Sequence, residues 1–321
     1  MAVLVTGGAG FLGSHLVDRL LREGNDVIVL DNLLTGKLAN LEPALETGKA
    51  TFVFCDVSAP IERLREALAS ATTARVTEIY HLASPASPEA YNGHPWETLA
   101  VNGVGTMSMI ELALEHGARL LFTSTSEVYG DPLVHPQPED YFGNVNPVGP
   151  RACYDEGKRF GEAAMSVAIE RRGLDGRIVR IFNCYGPRMD IGDGRLIPSL
   201  MEAARKHEPM PIHGTGDQTR SMTYVDDLVE GLLAVMRGAR TAPVNLGNEE
   251  EHSVHQIAVV VAEVVGAPFA IEMRPGRPED PQRRRPVTGV ARSLGWEAAT
   301  PLREGLRRTY DWLSTEGLLF A

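Results

Sequence analysis

The sequence predicts an α/β fold: a Rossmann-type, doubly wound parallel sheet with a smaller C-terminal α/β region. Short apolar runs alternate with helical patterns through the first half of the chain, which is the order of βαβ units whose parallel strands are buried on both faces. A glycine-rich turn, Gly7 to Gly13, joins the first apolar run to the first helical pattern. Such a turn is typical of sheets that bind a ligand at the carboxyl ends of their strands.

The first βαβ unit can be followed from the amino terminus. Ala2 to Thr6 is a short apolar run, and residues 16–21 carry apolar side chains at helical spacing. Gly24 suits the end of that helix. Val27 to Leu30 then form a second buried strand, which ends at Asp31.

The remaining elements continue this alternation and then become irregular. Further strands are predicted at Thr51 to Phe54, Ile79 to Leu82, Leu120 to Thr123 and Ile178 to Phe182. Long helices are predicted at Trp96 to Glu115 and Tyr154 to Arg171. After about Asn183 come short strand candidates near Pro211 and Pro243 and helices near Val225, Val254 and Leu302. We therefore predict a nucleotide-binding domain over residues 1–183 and a mainly substrate-binding region over residues 184–321, with an interleaved boundary.

Composition limits the class of partner. The chain has 321 residues, a formal net charge of −11 and a pI near 5.4, which oppose nucleic-acid binding because that needs a concentrated basic surface. Cys55, Cys153 and Cys184 are scattered, so we expect neither disulfides nor a metal site. The sequence shows neither a signal-peptide pattern nor an apolar run of about 18 residues. We therefore expect a soluble, cytoplasmic protein, unanchored to a membrane, that binds a small molecule.

The glycine turn and the acidic residue after it predict a dinucleotide site. Gly7, Gly10 and Gly13 allow a tight turn and the close approach of a pyrophosphate to a helix N-terminus. Asp31 can accept hydrogen bonds from the adenosine ribose hydroxyls and disfavours a 2′-phosphate, so NAD is favoured over NADP. The alternative interpretation is an ordinary strand–helix turn, with Asp31 as a strand-end turn residue.

A tyrosine and a lysine four residues apart, Tyr154 and Lys158, lie on one face of a predicted helix. The ordinary pKa of tyrosine is about 10, so a tyrosine base near neutral pH needs its pKa lowered by about three units by nearby positive charge. Lys158 is one source of that charge, and an oxidised nicotinamide ring is another. Thr125 and Glu127 follow the fifth strand, where a hydroxyl and a carboxylate can bracket a sugar. A capped turn is the alternative for that pair.

Several longer motifs resemble those of one enzyme family. They are Gly7 to Gly13 (GGAGFLG), His81 to Pro88 (HLASPASP), Ser124 to Pro132 (STSEVYGDP), His135 to Tyr141 (HPQPEDY), Asn146 to Lys158 (NPVGPRACYDEGK), Gly186 to Met189 (GPRM), Asp193 to Arg195 (DGR), Pro243 to Asn248 (PVNLGN) and Asp280 to Pro286 (DPQRRRP). Over nearly its whole length the chain thereby resembles the extended short-chain dehydrogenases/reductases and, among them, the UDP-glucuronate decarboxylases, also called UDP-xylose synthases. The glycine turn and Tyr-x-x-x-Lys are shared by that whole superfamily, whereas HLASPASP and RACYDEGK are far more discriminating.

The resemblance implies a role for each matching residue. The catalytic set is Thr125, Ser126, Glu127, Tyr154, Lys158 and Arg284. The residues implied to bind NAD are Gly7, Gly10, Phe11, Leu12, Gly13, Asp31, Asn32, Asp56, Val57, Leu82, Ala83, Ser84, Thr123, Tyr154, Lys158 and Arg188. The residues implied to contact the UDP-sugar are Tyr91, Asn183, Arg195, Arg220 and Arg284. A surface ion pair is the alternative role for Arg188, Arg195 and Arg220, and a solvated run of arginines is the alternative for Arg284.

The reaction that the resemblance implies is conversion of UDP-glucuronate to UDP-xylose with loss of carbon dioxide. Tyr154 would take the proton of the sugar 4-hydroxyl while tightly bound NAD accepts the hydride. The new ketone, β to the carboxylate, makes decarboxylation easy. Arg284 would grip that carboxylate through both guanidinium nitrogens, and Glu127 would orient the sugar hydroxyls or a proton-relaying water. Release of some UDP-4-keto-xylose stays open.

Two rival functions are weighed against this one. A nucleotide-sugar 4-epimerase or 4,6-dehydratase is the nearest, but the dehydratases that the chain resembles carry an aspartate at the position of Ser126, and Arg284 suits an acidic sugar. A non-catalytic NAD-binding sensor is the other, and the intact Tyr154 and Lys158 oppose it. The resemblance also implies a homodimer formed by the two long helices, whose apolar faces suit an intrachain core equally well.

Overall fold

The computed structural model describes residues 1–276 and 281–315. The strands, in chain order, are β1 Ala2–Thr6, β2 Asp26–Asp31, β3 Ala50–Phe54, β4 Val76–His81, β5 Arg119–Thr125, β6 Gly176–Ile181, β7 Cys184–Tyr185, β8 Met210–His213, β9 Thr219–Ser221, β10 Thr223–Tyr224, β11 Val244–Leu246, β12 Glu251–Ser253 and β13 Ile271–Arg274. The α-helices are α1 Phe11–Arg22, α2 Glu42–Glu46, α3 Ile61–Ala71, α4 Pro88–Gly93, α5 Pro95–Ala100, α6 Thr106–His116, α7 Ala152–Arg172, α8 Leu196–Arg205, α9 Val225–Arg237, α10 Val254–Val265, α11 Gly289–Ser293 and α12 Leu302–Thr315. Asp280, which opens the arginine motif, lies outside the described residues.

Seven of these strands form one parallel sheet in the order β11-β6-β5-β4-β1-β2-β3. From β1 the chain first builds outward through β2 and β3, and then crosses to the other side of β1 to add β4, β5 and β6. This arrangement confirms the predicted doubly wound α/β fold. Ligands bind such sheets beyond the carboxyl ends of the strands, where the direction of winding reverses.

Helices cover both faces of the sheet, so neighbouring residues of a strand enter different cores. Val5 of β1 packs with Leu16 of α1 on one face, whereas Leu4 packs with Leu112 of α6 and Phe122 of β5 on the other. All five of these side chains are fully buried. Burial on both faces explains why the strands of this sheet read as continuous apolar runs.

Helix α7, which carries Tyr154 and Lys158, packs closely on β5 at one glycine and on the π-helical turn at Val101–Gly105 at another. A Cβ at Gly161 would collide with the ring of Phe122, and a Cβ at Gly157 would lie 3.1 Å from the Cβ of Asn102. A glycine in a helix lowers its stability by about 1 kcal/mol relative to alanine. At these two positions that loss accompanies closer packing than a larger residue would allow. The side chains of α7 can therefore reach the backbone at the end of β5.

Two elements differ from the sequence-based expectation. The predicted helix Trp96 to Glu115 is divided into α5 and α6 by a π-helical turn at Val101–Gly105. This turn contains Gly103 and Gly105, which weaken the regular helical pattern. The strand expected near Pro243 is β11, and it joins the main sheet beside β6. The C-terminal half of the chain therefore contributes to the main sheet, and the division at residue 183 stays a prediction.

Smaller strand pairs lie in the C-terminal half. Strand β7 pairs with β10 and β8 with β13, both in parallel, whereas β9 pairs with β12 in antiparallel orientation. Within the two described ranges, we find no helix whose length and apolarity would allow it to cross a membrane.

Candidate active site

A cleft of about 690 Å³ opens at the carboxyl edge of the main sheet. Each site residue named from the sequence lines this cleft except Asp56. The carboxylate of Asp56 accepts hydrogen bonds from the backbone and hydroxyl of Ser58, and from the amide of Asn32 at 3.2 Å. The place of Asp56 in the cofactor-binding set therefore stays a prediction.

The glycine turn forms a wall of this cleft in a conformation that side chains would prevent. Gly7 has a φ of +71°, and a Cβ there would lie 2.7 Å from the backbone of Ala83. A Cβ at Gly13 would collide with the carbonyl oxygen of Gly7. Because no side chain fits at these positions, the start of α1 packs directly on the turn and leaves backbone N–H groups accessible to an anion.

Asp31, at the end of β2, is tied to the same turn. One of its carboxylate oxygens accepts a hydrogen bond from the backbone of Ala9 at 2.9 Å, and the other accepts one from Leu33 at 2.8 Å. Burial raises the pKa of Asp31, and these two hydrogen bonds oppose that effect. The side chain is 7% exposed and lines the cleft, so its free lone pairs can accept hydrogen bonds from a ligand there.

Tyr154 lies in the first turn of α7 and is stacked on Tyr91. The two ring centroids are 5.2 Å apart and the planes differ by 11°. Burial raises the pKa of Tyr154 above its ordinary value, and a hydrogen bond with Thr125 opposes this effect. Thr125 ends β5, and its hydroxyl also accepts the N–H of Glu127 at 3.2 Å. Strand β5 and helix α7 thus bring the hydroxyl groups of Thr125 and Tyr154 together.

Lys158 places its ammonium group between α7 and the end of β5. Its Nζ donates to the carbonyl of Thr123 at 2.7 Å and lies 6.0 Å from the ring centroid of Tyr154. Burial lowers the pKa of Lys158 to about 7, and the charge of Glu162 opposes that fall. Near neutral pH Lys158 is therefore only partly protonated. The pKa of the buried His81 falls to about 3 through burial and the charge of Lys158.

Glu127 is held by two guanidinium groups at the side of Tyr154. Arg284 donates to both of its carboxylate oxygens, at 2.6 and 3.0 Å. Arg151 contacts the second of these oxygens. The fork of Arg284 that was expected to meet a substrate carboxylate therefore binds a carboxylate of the protein in this structure. Arg284 and Glu127 are 8% exposed each, so this ion pair is largely shielded from solvent.

Arg151 was given no role from the sequence, although it lies within the motif that precedes Tyr154. It occupies the N-cap position of α7, where the positive end of the helix dipole disfavours a cation. Its partners are Glu127 and, at 3.7 Å, Asp155. A cation at a helix N-terminus was the signal that could have marked it as a functional residue.

Further predicted residues also line the cleft: Arg188 from the cofactor set, and Asn183, Arg195 and Arg220 from the UDP-sugar set. Arg188 forms an ion pair with Asp18 at 2.8 Å. Arg195 pairs with the aspartate two residues before it and lies 5.7 Å from the ring of Phe11. Arg220 donates to two backbone carbonyls at 2.8 and 2.9 Å. Within the described ranges, the buried Oδ1 of Asn183 accepts no hydrogen bond, which suits a ligand donor.

Comparison with known proteins places these features among nucleotide-sugar enzymes. Residues 3–247 match the model of the NAD dependent epimerase/dehydratase family. UDP-glucuronic acid decarboxylase 1 of Xenopus tropicalis is 45% identical over 98% of this chain and 72% of its own length. UDP-glucuronic acid decarboxylase 6 of Arabidopsis thaliana is 47% identical over 95% of this chain and 87% of its own length. The Thermus thermophilus UDP-glucose 4-epimerase in complex with NAD superimposes with a TM-score of 0.87 at 29% identity, covering 98% of this chain and all of that one.

Replacing Lys158 by methionine tests how strongly the buried ammonium opposes folding. Its folded pKa of about 7 lies below the ordinary value of 10.5, so the unfolded chain binds more protons between these two values. The free-energy cost of burying the charged lysine is full below pH 7 and is lost above about pH 10.5. We expect Lys158→Met to have a higher free energy of urea unfolding than the wild type at neutral pH. Near pH 9 this difference between the two proteins should be smaller by about 2 kcal/mol.

The control for this measurement is Lys49→Met, because Lys49 is exposed. Its difference from the wild type should stay constant over the same pH range. A constant difference for Lys158→Met as well would show that Lys158 does not titrate near neutral pH.

Proposed function

We propose that this chain, which belongs to the NAD dependent epimerase/dehydratase family, decarboxylates UDP-glucuronate to UDP-xylose. The observation that carries the proposal is the convergence of Arg151 and Arg284 on one carboxylate beside Tyr154. Two guanidinium groups next to a phenol suit a sugar that bears both a 4-hydroxyl and a carboxylate. The curated relatives named as UDP-glucuronic acid decarboxylases support the same substrate.

The residues of the cleft fit NAD. The turn at Gly7 and Gly13 leaves room for a pyrophosphate at the start of α1, and Asp31 offers a carboxylate to the adenosine ribose. When bound, NAD supplies a hydride acceptor for carbon 4 of the sugar and a hydride donor at the end of the cycle. Because the cofactor is regenerated in each turnover, no second substrate is required.

Tyr154 is the group that we assign as base and acid for the sugar 4-hydroxyl. Its hydrogen bond with Thr125 fixes the phenol at the end of β5. The ammonium of Lys158, 6.0 Å from the ring centroid, is the positive charge that we expect to favour the phenolate. Stacking against Tyr91 prevents the ring from turning away. These three neighbours orient one proton-transfer atom toward the cleft, which is the geometry that general-base catalysis needs.

Loss of carbon dioxide follows from the oxidation state of the sugar. A ketone at carbon 4 is β to the carboxylate on carbon 5, so the electron pair of the breaking bond is taken up as an enolate. Protonation at carbon 5 and reduction at carbon 4 then give the xylose ring. Tyr154 returns the proton to the oxygen on carbon 4 in that last step.

Arg284 is the residue that we assign to the substrate carboxylate. In this structure its fork binds Glu127, which Arg151 also contacts. Glu127 therefore retains one guanidinium partner when Arg284 turns to a second carboxylate. This arrangement avoids leaving a buried carboxylate without a partner, which would cost several kcal/mol.

The rival 4-epimerase and 4,6-dehydratase functions are not favoured. Ser126, buried in the turn after β5, has a hydroxyl where the dehydratases that the chain resembles carry an acid. A serine hydroxyl does not supply the proton needed to expel a sugar hydroxyl near neutral pH. An epimerase acting on UDP-glucuronate would give UDP-galacturonate and no carbon dioxide, so a single incubation separates the two reactions.

The first test is carbon dioxide release from UDP-glucuronate by the wild type and by Tyr154→Phe. We expect the wild type to release carbon dioxide and to form UDP-xylose, identified by NMR. Tyr154→Phe should retain NAD and turn over about 10² to 10⁴ times more slowly, as expected for loss of a general base. UDP-4-keto-xylose in the product would measure how often the last reduction fails.

Carbon dioxide absent from the wild-type reaction would refute the proposed function, and near-normal turnover of Tyr154→Phe would remove Tyr154 from it.

The neighbouring arginines of the RRR motif allow a matched test of the carboxylate site. Arg284 is buried against Glu127, whereas Arg283 is exposed. We expect Arg284→Ala to lower kcat/KM for UDP-glucuronate by about 10²-fold or more and to change the affinity for UDP little. Arg283→Ala should match the wild type in both measurements. A loss in Arg284→Ala that weaker UDP binding explained completely would move the carboxylate site elsewhere.

We also propose that the protein is a homodimer. Apolar side chains are exposed along the surface formed by α5, the π-helical turn, α6 and α7: Trp96, Leu99, Val104, Met107, Phe160 and Val167. The helices pack against one another, and Gly103 lies beside the ring of Phe160. A contiguous exposed apolar surface of this kind is typical of a protein interface. A second copy of the chain is the occupant that we propose.

Sedimentation equilibrium of Phe160→Glu tests the dimer. A charge in the centre of this surface should give a monomer, because a buried unpaired carboxylate disfavours association. The control is Phe54→Glu, at an exposed position of the edge strand β3, which should stay dimeric. A monomeric wild type, or a dimeric Phe160→Glu, would contradict this interface.

A cytoplasmic location is a further proposal. It is supported by Cys55, Cys153 and Cys184, which are all free thiols. Fractionation of the source cells tests it, and recovery of the protein outside the cytoplasmic fraction would refute it.

A further inference from the structure

Glu162 continues the line of functional side chains on α7. It follows Lys158 by four residues, as Lys158 follows Tyr154, so the three side chains share one face of the helix. The side chain of Glu162 is 14% exposed. Nothing in the proposed reaction uses this partly buried acid.

The carboxylate of Glu162 joins α7 to two strands of the main sheet. Ser124 of β5 donates its hydroxyl to Oε1 at 2.5 Å. Arg180 of β6 donates from Nε to Oε1 at 2.9 Å and from Nη2 to Oε2 at 2.7 Å. Ser124 lies between Thr123, whose carbonyl accepts from Lys158, and Thr125, which binds Tyr154. Glu162 therefore fixes the strand segment that holds both catalytic side chains.

The charge of Glu162 also acts on Lys158. On α7 the titratable neighbours of the ammonium are Tyr154 and Glu162, and from β4 it is faced by His81, which is neutral near pH 7. Around the phenol lie Glu127, Asp155 and Tyr91, and Arg180 faces Glu162 from β6. Among the described residues, Glu162 is the acid whose charge supports the buried ammonium against desolvation.

We propose that Glu162 is a positioning residue that keeps the ammonium of Lys158 charged and in place beside Tyr154. The proposal rests on the function proposed above only in taking Tyr154 as the base. Arg180 holds the carboxylate in a fixed geometry through a two-bond contact, and Ser124 sets its distance from β5. Loss of the Glu162 charge should therefore act on the reaction through Lys158, without any contact to the sugar.

The titration of Lys158 can be measured directly because the chain has only four lysines: Lys37, Lys49, Lys158 and Lys206. Lysine labelled with ¹³C at its ε-carbon gives one NMR signal for each, and Lys158→Met assigns the signal of interest. We expect Glu162→Gln to lower the pKa of Lys158 by about one unit and to move the pH–rate profile of carbon dioxide release to lower pH. Turnover at neutral pH should fall by about fivefold, because a fall of one pKa unit from about 7 lowers the protonated fraction of Lys158 by that factor at pH 7, with KM little changed.

Arg180→Met is the matched control, because it breaks the same ion pair and leaves the charge of Glu162 in place. It should leave the pKa of Lys158 unchanged or raise it. The double variant Glu162→Gln/Arg180→Met removes the guanidinium that would lose its ion-pair partner, and it should lower that pKa as Glu162→Gln does, even if the single variant does not fold.

The outcomes separate this inference from the proposed function. An unchanged Lys158 titration in the Glu162 variants, or an equal fall in Arg180→Met, would reduce Glu162 to a structural link and overturn the inference. Absence of carbon dioxide release by the wild type would refute the proposed function alone, since the NMR titration needs no turnover.

Discussion

The buried ammonium of Lys158 is the interaction on which the arrangement of this site depends. Desolvation lowers its pKa to about 7 even against the opposing charge of Glu162, so the group is only partly charged near neutral pH. The carbonyl of Thr123 accepts its hydrogen bond, and the ring of Phe122 lies 5.0 Å away. Both partners lie in β5, and they are within reach because Gly161 lets α7 pack against the ring of Phe122. The packing of one helix on one strand thus determines a protonation state.

The same edge of the sheet concentrates charges that must be balanced in pairs. Arg151 lies at the unfavourable end of the α7 dipole and is compensated by Glu127 and Asp155. Arg284 comes from a distant part of the chain and shares Glu127. Because Arg151, Arg284 and Glu127 compensate one another, these three groups can remain largely buried before a ligand enters. A charged ligand can then exchange partners without exposing an isolated charge.

Local spacing predicted the parts of this site that depend on short segments. The glycine turn, Asp31 at a strand end and the Tyr154–Lys158 pair are each readable from a few neighbouring residues, and the structure brings them to one cleft. The pairing of Glu127 with Arg284 spans 157 residues, and that of Ser124 with Glu162 spans 38. Such contacts depend on which strands become neighbours, which the periodicity of a single sequence does not specify.

The proposed sharing of Arg284 between Glu127 and a substrate carboxylate bears on how a decarboxylase treats the group that it removes. A guanidinium fork devoted to the substrate carboxylate would stabilise the bound sugar and the transition state alike, and uniform stabilisation does not raise the chemical rate. In this structure the fork is already bound to Glu127, so a substrate carboxylate must compete for it. This competition weakens the binding of the substrate carboxylate in the ground state. The contact with Arg284 that orients the carboxylate remains available. Under the proposed role of Arg284, the substrate carboxylate would thereby be positioned for loss of carbon dioxide without being held so tightly that loss becomes difficult.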